Sequence, residues 1–121
     1  MYKRQIFYNT QPFSVLIEYE ANKVIEDAVI GVAIYRDGQT NIFGSNTLLD
    51  YSELIKLSKS GKVWLNIERL SVAAGTYSID LVIRKPDGFA YDFWRDACLI
   101  TIKSKVNDMA MVSAPHSWTI R

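Results

Sequence analysis

The sequence predicts an all-β protein, a sandwich or jelly roll of seven or eight short strands. Three observations carry this reading. Apolar residues recur with a period of two and not 3.6, turn signals separate the apolar runs, and only one short stretch has helical spacing. The chain has 121 residues, 49% of them apolar, which is enough for one domain with a sizeable core.

The elements follow in order. Phe13, Val15, Ile17 and Tyr19 alternate with Ser14, Leu16, Glu18 and Glu20, giving a half-buried strand with its carboxylates outward. Ile30, Val32 and Ile34 form a second inward row, opposite Gly31, Ala33 and Tyr35. Asp37-Gly38 follows, a favoured pair for a tight hairpin because both residues tolerate positive φ, and Thr40 to Phe43 is the returning strand. Tyr51 to Ser58 has the one helical pattern, about two turns through Leu54, Ile55 and Leu57. Val63, Leu65 and Ile67 then alternate with Trp64, Asn66 and Glu68. Tyr77, Ile79, Leu81 and Ile83 alternate with Ser78, Asp80, Val82 and Arg84. Pro86-Asp87-Gly88 is a turn by composition. Tyr91 to Lys103 is a long strand whose parity breaks near Arg95–Ala97, where a bulge would switch faces. Met109 to Ile120 alternates weakly and is expected to be a last strand, after a hinge at Asn107-Asp108.

Several classes of chemistry find no support. The formal net charge is +1, from 14 basic and 13 acidic residues, so nothing favours a nucleic-acid partner or an anionic membrane. Cys98 is the single cysteine, so no intrachain disulfide is possible and a reducing compartment is the simpler expectation. No apolar run approaches the ~20 residues a spanning helix needs, so a soluble, cytoplasmic chain is expected. His116 is the sole histidine, so a His-rich metal site is not expected. A Cys98–His116 dyad is possible on composition, but the apolar neighbours Ala97, Leu99 and Ile100 read as inert packing. Gly61-Lys62 lacks the upstream glycine of a phosphate-binding loop. Glu18 and Glu20 lie ~7 Å apart on one strand face, near a glycosidase spacing, yet both read better as solvated surface, as do Asp92 and Asp96. No cofactor is expected.

Aromatic residues stand out of phase. Trp64 and Tyr35 point away from their strands' inward rows, and Trp94 lies among Tyr91, Asp92, Arg95 and Asp96. Flat rings beside hydrogen-bonding groups suit a sugar, whose C–H face stacks while Asp, Asn and Arg take the hydroxyls. Trp64, Trp94, Tyr35, Asn66, Asp80, Arg95 and Tyr91 are therefore the candidate carbohydrate-binding residues, expected to emerge on one common sheet. The plainer alternative is that these rings cover a loop or a protein interface.

Gly31-Val-Ala-Ile-Tyr-Arg-Asp-Gly38 followed by Phe43-Gly44-Ser45-Asn46-Thr47, then Leu70, Gly75-Thr76-Tyr77, Tyr91-Asp92, Ile100-Thr-Ile102 and His116-Ser117-Trp118, occur in a telling order. The series resembles the C-terminal carbohydrate-binding domain of ATP-binding subunits from polysaccharide ABC exporters, the Wzt type. That resemblance spans about residues 13 to 118. It implies an immunoglobulin-like or jelly-roll antiparallel β-sandwich of about seven to nine strands, covering residues 1–121 as one domain. It implies a non-catalytic module that recognises an O-antigen-like polysaccharide on the concave face of one sheet, for export in lipopolysaccharide biosynthesis. The implied partners are the glycan, a second copy of the chain with residues 109–121 exchanged as a strand, and the exporter's ATPase domain and permease, which would place the chain at the cytoplasmic side of the inner membrane. No nucleotide-binding motif is present, so the chain is expected to be an excised domain or a stand-alone relative. Gly31, Gly38, Gly44, Gly75 and Tyr77 are expected to shape turns and core, with His116 and Trp118 in structural roles. The rival readings are a protein-interaction module for oligomer assembly and, last, a small glycosidase acting through Glu18 or Asp92.

Overall fold

The computed structural model describes residues 4–105 and 110–120. Its elements run β1 (Arg4–Tyr8), β2 (Phe13–Glu20), β3 (Ile25–Arg36), β4 (Thr40–Asn46), α1 (Thr47–Tyr51), β5 (Ile55–Leu57), β6 (Ser60–Ile67), β7 (Gly75–Arg84) and β8 (Ala90–Lys103). The larger sheet has the order β1-β8-β7-β3-β4, with β5 also paired to β3, and the smaller sheet is the pair β2-β6. Period-two patterning builds the layer between them. Phe13, Val15 and Ile17 from the small sheet meet Ile30, Val32, Ile34, Tyr77, Ile79, Ile100 and Ile102 from the large one.

The turn chemistry behaves as the residues require. Asp37 and Gly38 both take positive φ, 51° and 69°, closing the β3-β4 hairpin with Gln39 N–H donating to the Arg36 carbonyl. Gly88, at φ 99°, closes the β7-β8 turn. Tyr77 is buried at the start of β7, and its hydroxyl donates to the Ala73 carbonyl at 2.6 Å, pinning the preceding loop much as a tyrosine corner does.

Four expectations change. The sheet is not wholly antiparallel, because β1 runs parallel to β8 from Arg4↔Leu99 to Tyr8↔Lys103. The helix is not Tyr51–Ser58 but Thr47–Tyr51. Asn46 caps it by accepting from Leu49 N–H at 2.8 Å, and Ser52, at φ 58°, ends it. Ile55–Leu57 is instead a strand paired with β3, with Leu57 buried in the core. The tail is no strand within its own chain: Val72↔Val112 is an isolated bridge, and Trp118 and Ile120 are 85% and 90% exposed. The hinge expected at Asn107-Asp108 and the residue Met109 lie outside the described residues.

Candidate functional site

The seven candidate residues do not share one sheet; they divide among three surfaces. Trp64 and Asn66 project from the outer face of the small sheet. There Trp64 is 55% exposed opposite Leu16, and Ser14 Oγ–H donates to Asn66 Oδ1 at 2.7 Å. Glu18, once weighed as a catalytic carboxylate, sits on this face opposite Lys62.

Tyr91 and Trp94 line a cleft of about 520 Å³ between β2's side of the small sheet and the inner face of β7-β8. The register sets Trp94 opposite Leu81 and Asp92 opposite Ile83, so both share the face of core residues at an end that two strands are too few to roof. Tyr91 O–H donates to Asp27 Oδ1 at 2.9 Å. Lost hydration and then that bond raise its pKa.

Tyr35, Asp80 and Arg95 belong to the outer face of the large sheet. Gly31↔Asn46 and Ala33↔Gly44 pair β3 with β4, while Gly31↔Val82 and Ala33↔Asp80 pair it with β7. Three of the smallest residues, Gly31, Ala33 and Gly44, therefore lie together at the β3-β4 edge of the sheet. Larger groups flank them, and the result is a trough of about 310 Å³ bordered by Tyr35, Asn46, Asp80, Arg84 and Phe93. Gly44, exposed mid-strand, is thus not the turn or core former expected, whereas Gly31 is buried and packs closely as expected. A Cβ at Gly31 would meet Val82 Cγ1 at 2.9 Å, whereas one at Gly44 would find nothing nearer than 3.8 Å.

The expected bulge in β8 shapes the trough's wall. The β7-β8 register shifts between Ile79 and Leu81, and Asp96 there takes φ 54°. Its amide donates to Asp80 Oδ1 at 2.8 Å, which fixes that carboxylate beside the trough. Arg95 stacks its guanidinium 6.0 Å from the Phe93 ring centroid. Parity reasoning from Leu81 and Ile83 predicts an outward Arg84, but Phe93 and Asn46 escaped it. The signal that finds them is the run of small outward residues, a pattern of absence that aromatic counting overlooks.

Among the described residues no group of three or more His, Cys, Asp or Glu side chains gathers as for a metal. Burial pushes the Cys98 thiol's pKa up, which fits packing better than nucleophilic chemistry. His116 Nδ1–H donates to the Ala114 carbonyl at 2.7 Å in the exposed tail. No helix among the described residues is long and apolar enough to cross a membrane.

Comparison with known proteins agrees with this architecture. No curated protein sequence matches the chain. Among solved structures, one described as the crystal structure of the C-terminal domain of wzt superposes with a TM-score of 0.82 at 15% identity, covering 97% of this chain and 74% of that one. The sequence profile of the Wzt C-terminal domain matches residues 2–113, and the chain accordingly belongs to the Wzt C-terminal domain family.

Proposed function

We propose that this chain is a non-catalytic carbohydrate-binding module that recognises an O-antigen-like polysaccharide for an ABC exporter. The observation that supports it best is the trough on the large sheet's outer face. It places Tyr35 and Phe93 rings beside Asp80, Arg84 and Asn46 above a floor of small residues. Aromatic faces stack on sugar C–H groups, the charged and amide groups take hydroxyls, and the small floor residues let a pyranose approach the sheet. The open shape and solvated rim suit weak binding helped by bridging water. Within an exporter the module would work at the cytoplasmic side of the inner membrane, coupled to the ATPase domain and permease.

The cleft has a different role in this reading. β2 presents an unpaired edge beside it, and Leu81, Ile83 and Trp94 lie unroofed. The tail carries Ala114, Trp118 and Ile120 at period-two spacing, exposed in its own chain. A second copy's tail, added along β2, covers both surfaces, making a homodimer by strand exchange. Trp64 and Leu16 favour the alternative of a protein-interaction module, since an exposed apolar pair on a two-stranded sheet also fits a protein contact.

Isothermal titration with surface polysaccharide from the source organism tests the assignment. Binding is expected for the parent and lost in Tyr35→Ala and Phe93→Ala with the fold intact. Flat titrations of the parent together with a solution mass changed by Trp64→Ala would favour the interaction module instead. For the tail, light scattering is expected to give twice 13.8 kDa for the whole chain and a monomer once residues 114–121 are removed.

A further inference from the structure

The outer face of the large sheet carries a second depression beyond Tyr35. It measures about 330 Å³ and is lined by Asp37, Gly38, Thr76, Ser78, Asp96 and Leu99 among others. Ser78 is its unusual member. The residue is 5% exposed and its hydroxyl has no hydrogen-bond partner. The register explains the burial, since Ser78 sits between Tyr35 on β3 and Leu99 on β8, two bulky neighbours on the same face. A buried hydroxyl without a partner lowers stability, and apolar packing would serve that position better if the fold were its only duty.

Two acidic residues, Asp37 and Asp96, line the same depression from backbone that few residues adopt. Asp37 holds φ 51° at the hairpin tip and Asp96 holds φ 54° at the β8 bulge. The bulge turns the Asp96 amide to Asp80, in the trough, while Asp96 itself lines the second depression. The two hollows are therefore joined through one hydrogen bond and through Tyr35, which borders the trough and neighbours Ser78 across the strand pair.

We infer that the Asp37–Ser78–Asp96 depression is a second sugar subsite, taking a neutral, hydroxyl-rich residue adjacent to the one in the trough. The inference rests on the trough being the glycan site. Ionised carboxylates only accept hydrogen bonds, so the ligand must bring donors, as sugar hydroxyls do. Arg36 Nε stands 3.9 Å from Asp37 Oδ2 and offsets that charge, so the Asp96 carboxylate is the group that disfavours a uronate or phosphate here. The Ser78 hydroxyl, without a partner in the free chain, gains one in the complex.

The test uses two probes, both prepared by partial hydrolysis of the source organism's surface polysaccharide: its constituent single sugars and fragments of several residues. The parent is expected to bind the longer fragments more tightly than any single sugar. Ser78→Ala should lower affinity for the longer fragments about five- to tenfold, leave the single sugar that fits the trough unaffected, and keep or raise the melting temperature. Asp96→Asn, which retains the backbone bond to Asp80, should act in the same direction. Long fragments bound equally by parent, Ser78→Ala and Asp96→Asn, while a block of the trough abolishes binding, would overturn the subsite and leave the trough standing. Absence of binding by the parent to every fragment would overturn both.

Discussion

Replacing Gly44 by valine separates ligand binding from folding. Gly44 lies mid-strand on the outer face, opposite Ala33, and borders the trough of about 310 Å³. A Cβ there meets Asn41 Oδ1 at 3.8 Å and the Val32 carbonyl at 4.0 Å, ordinary contacts that displace nothing. Valine also suits a strand and removes glycine's excess freedom in the unfolded chain, worth about 0.5–1 kcal/mol. The variant should melt no lower than the parent. Its added methyls stand on the floor of the proposed sugar site. Lifting a ring from its contacts by ~0.5–1 Å forfeits a quarter to a half of each dispersion well. For a site of Kd ~1 mM, about 4.1 kcal/mol of binding, a loss of ~1.4 kcal/mol moves Kd to ~10 mM. Calorimetric titration of folded Gly44→Val against the source polysaccharide measures this. Affinity equal to the parent's would refute the trough as the site, and unfolding would refute the contact geometry.

Other consequences are sharper about the fold. Tyr77→Phe strands the Ala73 carbonyl and should cost about 1–2 kcal/mol in urea unfolding with an unchanged slope. Cys98, its thiol pKa raised by burial, should alkylate slowly near neutral pH and accelerate only at a higher pH than a free cysteine. The unfolded thiol loses its proton first, so the contribution to stability is whole below the unfolded pKa and fades as pH rises through the folded one. Trp64→Ala, on the far side of the sandwich, should leave glycan affinity unchanged, which a glycan titration checks directly.

Strand parity was legible wherever one face is buried. The Phe13–Tyr19 row, the Asp37-Gly38 hairpin and the β8 bulge near Arg95–Ala97 all stand where period and turn chemistry put them. Parity says which side a ring leaves its strand but not which sheet the strand joins. Trp64 and Trp94 therefore read as companions, although β6 and β8 belong to different layers. The helix near Leu54 misled because Ile55 and Leu57 fit either period over so short a run. The cap at Asn46 decided the matter locally. The tail's weak alternation appears in its own chain only as the isolated Val72↔Val112 bridge, because an alternating pattern does not say which strand it pairs with. The trough was hidden because its floor is made of side chains that are missing.

The most direct test of a sugar site between β4, β3, β7 and β8 is an amide NMR titration of the chain with the source organism's surface polysaccharide. Shifts concentrated at Gly31, Ala33, Tyr35, Gly44, Asp80, Val82 and Phe93 are the expected result. Shifts confined to Trp64 and Asn66 on the small sheet, or no shifts at saturating glycan, would contradict it.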